Sequence, residues 1–130
     1  MKELLVPLSP GELLDKITIL RIKVARIQDA AKLANVKREL ALLEQTWKDS
    51  GAAVDDVGLD ERALENVNER LWDIEDRIRD KEARQTFDRE FIELARAVYI
   101  CNDERAAIKK RINLQLGSPL VEEKSYKQYR

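Results

Sequence analysis

The sequence contains no histidine and only one cysteine, Cys101, and both absences exclude whole classes of site. Histidine is the commonest general base and the commonest zinc ligand, and the usual catalytic triads depend on it. One cysteine forms neither an internal disulfide nor a structural zinc site, and it is typical of a reducing compartment. We therefore expect no metal and no cofactor, and no catalytic residue is identified from the sequence.

Glycine, proline and long apolar runs are also scarce, since the 130 residues include 4 glycines and 3 prolines. No apolar run approaches the roughly 18 residues of a membrane span, and the opening segment MKELLVPLSP lacks the apolar core of a signal peptide. The net charge of -1 provides no strongly basic surface for nucleic acid. These observations predict a cytoplasmic protein that neither spans a membrane nor binds nucleic acid.

Charged residues are abundant, at 38% of the chain, beside a hydrophobic share of 44%. This composition is typical of helical bundles and coiled coils. The start of the first helix is marked by Ser9 as N-cap, Pro10 at the first helical position and Glu12 at the place of a capping-box residue. Apolar residues then recur at alternating spacings of four and three, as on one face of a helix: Leu13, Ile17, Leu20, Val24 and Ile27.

Similar apolar stripes predict helices at about residues 10–28, 30–49, 60–83 and 87–116. The stripe changes phase after Ile27, which indicates a corner with Asp29 as the next N-cap, although one long bent helix also fits the pattern. Glycines and clustered aspartates make residues 49–60 an internal linker, after which Asp60 is the expected cap of the third helix. Thr86 is the expected cap of the fourth helix.

The predicted fold is therefore all-α, an antiparallel helical bundle of two helical hairpins with short extended terminal arms. Short connections make neighbouring helices antiparallel, and a chain of 130 residues has the size of one domain. Residues 1–130 are interpreted as a single helical domain, with the 49–60 linker between its two hairpins.

An arginine interrupts the apolar stripe of the fourth helix. The spacing that includes Cys101 and Ile108 places Arg105 where an apolar residue is expected. Because a buried, unpaired guanidinium costs several kcal/mol, Arg105 must contact water, an acidic partner or an anionic ligand.

The sequence allows a structural and a ligand-binding interpretation of this arginine. In the structural one, Asn68, Glu75 and Asn102 join Arg105 in an internal network that fixes the register of the helices, and this is the favoured alternative. In the other, a cationic pocket for phosphate or carboxylate lies between helices, unless Lys16 pairs with Glu44 instead. The candidate ligand-binding residues are Lys16, Asn68, Asn102, Arg105 and Lys109.

Pairs of acidic residues three positions apart suggest a further alternative, a magnesium-dependent nucleotide pyrophosphatase of the all-helical kind. In so acidic a chain, such pairs more often belong to a solvated face with basic partners one turn away. The pairs are Glu12 and Asp15, Asp73 and Asp76, and Glu90 and Glu93.

Large apolar residues also occur on the sides of helices opposite the main stripes. Such a second apolar face on a small amphipathic helix suggests a further burial surface. We expect a homodimer interface, although the terminal arms or a partner protein are alternatives. The candidate interface residues are Ile19, Ile22, Leu42, Trp72 and Ile100.

Four segments of the chain carry a resemblance to a known family: SPGELLDKITILRIK, NERLWDIEDRI, FIELARAVYICNDERAAIKKRIN and VEEKSY. They resemble a bacterial family of small all-helical proteins that is a domain of unknown function. The resemblance covers nearly the whole chain and is weakest after Asp49. It implies an association with glycosyltransferase-type proteins of surface polysaccharide synthesis.

The function expected from the sequence is that of a non-enzymatic helical interaction or adaptor protein, which the resemblance places beside polysaccharide synthesis. The expected partners are a second copy of the chain and a protein of that process. The main alternative is a small-anion or nucleotide-sugar binding protein, or an enzyme, that uses the Lys/Arg/Asn pocket.

Overall fold

The computed structural model describes residues 2–52 and 54–129 and contains four helices. In chain order these are α1 Pro10–Arg26, α2 Ala30–Asp49, α3 Val54–Ala83 and α4 Arg89–Gln115. The all-α class is confirmed, and the packing of the helices is that of a bundle. Among the described residues, no helix has an apolar stretch long enough to cross a membrane.

The helix starts predicted for the first hairpin are confirmed. Ser9 accepts a hydrogen bond from the backbone N–H of Glu12 at 3.2 Å, and Pro10 opens α1. The chain then turns through extended backbone at Ile27, and Asp29 accepts from the N–H of Lys32 at 2.9 Å to start α2. The first two stripes therefore belong to separate helices, not to one bent helix.

The predicted start of the third helix is wrong, whereas the fourth helix begins two residues after its predicted start. α3 begins at Val54, so most of the predicted linker is helical. Val57 lies one heptad before Leu64 and is 1% exposed, and burial of this side chain outweighs the low helix propensity of Gly58, about 1 kcal/mol. Asp60 is consequently inside a helix, where it accepts from Arg111 at 3.0 Å.

The corner between α3 and α4 is longer than predicted. Gln85 adopts a left-handed backbone conformation with φ of 54°, and the N–H of Thr86 returns to the carbonyl of Lys81 at 2.9 Å. This is the geometry that closes a helix C-terminus. The cap of α4 is Asp88, which accepts from the N–H of Phe91 at 3.0 Å.

α1 is the central helix of the bundle. It packs against α2, α3 and α4, whereas α2 packs against α1 and α3 packs against α1 and α4. The apolar core combines side chains of α1, α3 and α4, with Trp47 at the end of α2 packed against it. Its buried members are Leu14, Val57, Leu64, Val67, Cys101, Ile108 and Ile112.

Candidate functional site

A carboxylate lies in the interior of the bundle. Asp15 of α1 is 1% exposed, and the side chain of Thr18, one turn later, is fully buried. The hydroxyl of Thr18 donates to the backbone carbonyl of Asp15 at 2.9 Å. A buried carboxylate is strongly destabilising unless it is paired, so the neighbours of Asp15 decide whether the fold tolerates it.

Arg105 of α4 supplies the countercharge. Its Nε donates to Oδ1 of Asp15 at 2.8 Å and its Nη2 donates to Oδ2, which is the bidentate geometry of a strong arginine–carboxylate pair. Nη1 faces the amide oxygen of Asn102 at 3.5 Å. Hydrogen bonding to Asp15 raises the pKa of Arg105 above its ordinary value, although burial opposes this. The guanidinium therefore stays charged at every accessible pH.

Asn68 extends the pair to α3. Its Nδ2 donates to Oδ1 of Asp15 at 3.0 Å and to the hydroxyl oxygen of Thr18 at 3.0 Å. Asn68 is 5% exposed, so its amide has exchanged water for these two acceptors. α1, α3 and α4 are thus joined at one level of the bundle by a network of Asp15, Thr18, Asn68 and Arg105, which we call the polar core.

Lys109, one turn after Arg105, is surrounded by acidic side chains. Its Nζ lies 2.6 Å from Glu12, 3.2 Å from Glu122 and 3.8 Å from Asp15. Burial lowers the pKa of Lys109, but the hydrogen bond with Glu12 and the nearby negative charges outweigh this and raise it. The ammonium group therefore remains charged and connects α1, α4 and the C-terminal segment.

At the start of α1 the backbone of two helices comes very close. The N–H of Gly11 donates to Oδ1 of Asn113 on α4 at 2.7 Å, and Asn113 is 1% exposed. A Cβ at residue 11 would lie 2.5 Å from the carbonyl oxygen of Lys109. Glycine is required here by space, because any larger residue would push α1 away from α4 and from the polar core.

Open clefts lie on both sides of Arg105. The arm cleft, of about 440 Å³, lies between α4 and the C-terminal segment and is lined by Tyr99, Asn102, Asp103, Arg105, Ala106, Lys109, Lys124 and Tyr126. A second cleft of about 540 Å³ has Ile19 and Trp72 among its apolar lining residues, with Asn68, Asn102 and Arg105 at its polar side. Asn102 and Arg105 therefore line both depressions.

The structure brings four of the five predicted ligand-binding residues together: Asn68, Asn102, Arg105 and Lys109. Lys16, in contrast, is exposed on α1. Its expected partner Glu44 lies 3.8 Å from Arg21 instead. Glu75, the expected partner of Arg105, contacts Arg79 on its own helix at 3.5 Å.

The candidate interface residues have different environments. Ile22 is 3% exposed within the single chain, because α1 has neighbours on several sides. Ile19 and Trp72 are half-buried and line the second cleft, and Ile100 is half-buried on α4. Leu42 is 56% exposed on α2. The second apolar face of α1 is thus partly explained by packing within the chain.

Sequence reasoning missed the role of Asp15 as the partner of Arg105. A signal was present, since Gly11, Asp15, Thr18 and Ile22 recur at spacings of four, three and four, as on one helix face. A row of small and polar residues usually indicates a helix face that is exposed to solvent. Their burial depends on two further helices closing over α1, which the periodicity of a single helix does not show.

Five of the six acidic residues considered for magnesium form ion pairs with basic side chains. No group of three or more histidine, cysteine, aspartate or glutamate residues suited to a metal ion occurs in residues 2–52 and 54–129. These ion pairs are Glu12–Lys109, Asp15–Arg105, Asp15–Lys109, Asp73–Arg26, Glu90–Arg77, Glu90–Lys81 and Glu93–Arg89.

Comparison with protein families matches residues 4–129 to the family of unknown function DUF6165. The chain belongs to this family. The match covers the four helices and the C-terminal segment that contacts Lys109, so the polar core and the arm cleft both lie within the DUF6165 region. No significant similarity to a curated protein or to a solved structure was found.

Proposed function

We propose that this protein is a non-enzymatic interaction module that pairs with a second copy of itself through α2. The observation that carries the proposal is the incomplete burial of the α2 stripe. The stripe extends over most of α2, yet every large apolar residue in it is only half-buried. The stripe residues are Leu33, Val36, Leu40, Leu43 and Trp47.

The spacing of the α2 stripe favours a second copy as the partner. Its residues alternate at three and four positions, which is the a/d repeat of a coiled-coil seam. α1 covers one side of this seam, and a matching α2 from another chain supplies the same repeat for the other side. Leu42 is 56% exposed on the side of α2 away from the seam, so it lies outside the proposed pair.

The chemistry of the polar core supports a structural role for its charged residues. Arg105 and Lys109 each have carboxylate partners, and no buried side-chain nitrogen or oxygen among the described residues lacks a hydrogen-bond partner. A network with all its members satisfied fixes one arrangement of helices. A rigid scaffold with one open seam suits a protein that works by binding other proteins.

The cellular context of the proposal comes from the resemblance noted in the sequence. An adaptor with two α2 seams brought together would hold two copies of a partner near one another. We place this role in the cytoplasm beside surface polysaccharide synthesis, where the partner would be a glycosyltransferase-type protein. DUF6165 membership itself assigns no activity.

The test is the oligomeric state of the purified chain. Light scattering at micromolar concentration is expected to give twice the chain mass of 15.1 kDa. Val36→Glu is expected to shift the equilibrium toward monomer, because it places a charge in the half-buried seam. Leu59→Glu is the matched control, since Leu59 is 77% exposed on α3, away from α2. A wild-type monomer, or equal effects of both variants, contradicts the proposal.

The two alternative functions make opposite demands on the site. A phosphate or nucleotide-sugar site needs cations without fixed carboxylate partners, whereas Arg105 and Lys109 have them. A pyrophosphatase needs free carboxylates, whereas Glu12 is held by Lys109 at 2.6 Å. Phosphate-dependent stabilisation lost in Arg105→Leu would favour the first alternative. Magnesium-dependent release of pyrophosphate lost in Glu12→Gln would favour the second.

A further inference from the structure

The C-terminal segment 118–129, which we call the C-terminal arm, folds back along α4. Glu122 contacts Lys109 at 3.2 Å, Glu123 contacts Lys110 at 3.8 Å, and the hydroxyl of Tyr129 donates to Asp103. These contacts follow α4 from its C-terminal end toward its middle. The arm therefore forms one wall of the arm cleft, and the other wall is α4 itself.

The charges around the arm cleft are already balanced. Arg105 is paired with Asp15, and Lys109 with Glu12. Lys124 lies 2.9 Å from Glu122, a carboxylate that it shares with Lys109. An anion entering the cleft would compete with fixed carboxylates and would be repelled by them. The geometry thus disfavours phosphate and favours a ligand without net charge.

The polar groups that remain in the cleft are suited to hydroxyl groups. Arg105 has five N–H donors, and its hydrogen bonds to Asp15 and Asn102 use three of them. The amide of Asn102 both donates and accepts, and the carboxylate of Asp103 has further acceptor capacity. A hydroxyl group donates and accepts at one atom, so several adjacent hydroxyls can satisfy this mixed set at once.

Aromatic side chains are concentrated at the same place. The chain has 3 tyrosines, and all of them, Tyr99, Tyr126 and Tyr129, line this cleft or the depression that continues it. Tyr99 and Tyr126 are 43% and 76% exposed, and Tyr99 is held edge-to-face against Tyr129 at 4.9 Å. Exposed rings offer flat apolar faces beside hydrogen-bonding groups, and the Nζ of Lys124 lies 5.4 Å from the centroid of the Tyr126 ring.

We propose that the arm cleft is a binding site for a neutral polyhydroxylated ring, such as an uncharged sugar residue. The apolar C–H face of such a ring packs on Tyr99 or Tyr126, and its rim of hydroxyls contacts Asn102, Asp103 and Arg105. A volume of about 440 Å³ accommodates one or two rings. The site lies on α4 and the C-terminal arm and is independent of the seam on α2.

Titration by NMR of the full chain tests the proposal. Glucose, galactose and N-acetylglucosamine are the probes, with inorganic phosphate and a nucleoside diphosphate in parallel. We expect at least one sugar to shift the amide signals of Tyr99 to Arg105 and of the C-terminal arm, with saturation in the millimolar range. Phosphate is expected to leave these signals in place. Binding of phosphate without any sugar, or no binding at all, overturns the proposal.

Variants at the tyrosines separate stacking on the ring from general effects on the fold. Tyr126→Ala is expected to weaken sugar binding by about fivefold or more, whereas Tyr126→Phe keeps the ring and most of the affinity. Phe87→Ala is the matched control, because Phe87 is a 54% exposed aromatic residue at the far corner of the bundle. Unchanged affinity in both Tyr126→Ala and Tyr99→Ala excludes stacking in the cleft and overturns the proposal.

Discussion

α1 and α2 have similar amphipathic sequences but very different environments. Of the 17 residues of α1, eight are buried, and these include Asp15 and Thr18 as well as apolar side chains. α2 is longer, with 20 residues, and none of them is buried. The difference arises from the number of neighbours, since α1 packs against three helices and α2 against α1. A clear apolar stripe therefore predicts a helix but does not predict how deeply the helix is buried.

The two helices also differ in what fixes their position. α1 is held by directional contacts, because Asp15 must meet both Arg105 and Asn68 in one geometry. α2 is held mainly by the half-buried apolar stripe, with Glu44 near Arg21 at 3.8 Å. Apolar contacts tolerate small shifts in register, whereas a buried ion pair does not. The polar core thus fixes the position of α1 in the bundle, whereas the contacts of α2 allow small shifts.

The largest expected effect comes from removing the countercharge of Asp15. Arg105→Leu leaves a 1% exposed carboxylate without its partner, and we expect the free energy of unfolding to fall by about 3 kcal/mol. The double variant Asp15→Leu with Arg105→Leu is expected to recover much of this loss, because no charge is then stranded. Urea denaturation followed by circular dichroism measures all three proteins.

A control distinguishes Asp15 from the partner first expected from the sequence. Glu75→Leu combined with Arg105→Leu is expected to remain as unstable as Arg105→Leu, since Glu75 contacts Arg79 and lies outside the polar core. Rescue by Glu75→Leu, together with failure of Asp15→Leu to rescue, would mean that the ion pair of α1 and α4 does not hold the bundle together.

Truncation of matched leucines compares α1 and α2 directly. Leu14 of α1 is fully buried, and Leu14→Ala is expected to cost about 3 kcal/mol, within the usual range for a core cavity. Leu40 of α2 is half-buried, so Leu40→Ala is expected to cost about 1 kcal/mol. Denaturation should be measured at low protein concentration, so that the proposed pairing through α2 does not contribute. Equal losses for the two variants would contradict the difference in burial.

Local signals in the sequence predicted the first hairpin well. Ser9 and Asp29 cap their helices as expected, because capping depends on residues within one turn. The predictions that Asp60 and Thr86 cap helices were wrong, because these two boundaries depend on more than the adjacent sequence. The burial of Val57 continues α3 through Gly58, and Asp88 offers a carboxylate cap closer to α4, so long-range packing and competition among caps decided these boundaries.

The candidate site was predictable only in part. The interruption of an apolar stripe identified Arg105, and the same helix face included Asn102 and Lys109. The partner of Arg105 could not be deduced, because Asp15 is 90 residues away and pairing across such a separation depends on how α1 crosses α4. The C-terminal arm carries no periodic pattern, so its contact through Glu122 was equally inaccessible to sequence reasoning.

Glycine substitutions give a smaller effect whose sign differs between two helices. Gly11→Ala places a Cβ 2.5 Å from the carbonyl oxygen of Lys109, so α1 must move away from α4, and we expect a loss of about 2 kcal/mol. Gly58→Ala has only the guanidinium of Arg62 nearby, at 3.8 Å, and is expected to stabilise the helix by about 0.5–1 kcal/mol. Thermal melting compares them, and stabilisation by Gly11→Ala would contradict the close packing of α1 and α4.

The smallest expected effect concerns the C-terminal arm and its dependence on pH. Hydrogen bonds from Lys124 and Lys109 lower the pKa of Glu122 below its ordinary value of 4.5. A carboxylate with a lowered pKa in the folded state contributes its stabilisation fully above the ordinary value and loses it as the pH falls through the lowered one. The contribution is small because the pair is partly exposed and screened by water. We therefore expect NMR signals of the arm to shift toward those of a free segment below pH 4.5, while the helices persist.

Glu122→Gln provides the matched control for this titration, since the amide has a similar shape and no charge. The arm of this variant is expected to be partly released already at neutral pH, because Lys109 retains Glu12 as a partner and loses little by letting the arm go. Its arm signals should then change less between neutral and acidic pH than those of the wild type. Identical titration curves for the two proteins would show that Glu122 does not hold the arm on α4, and the wall of the arm cleft would then depend on the contacts of Glu123 with Lys110 and of Tyr129 with Asp103.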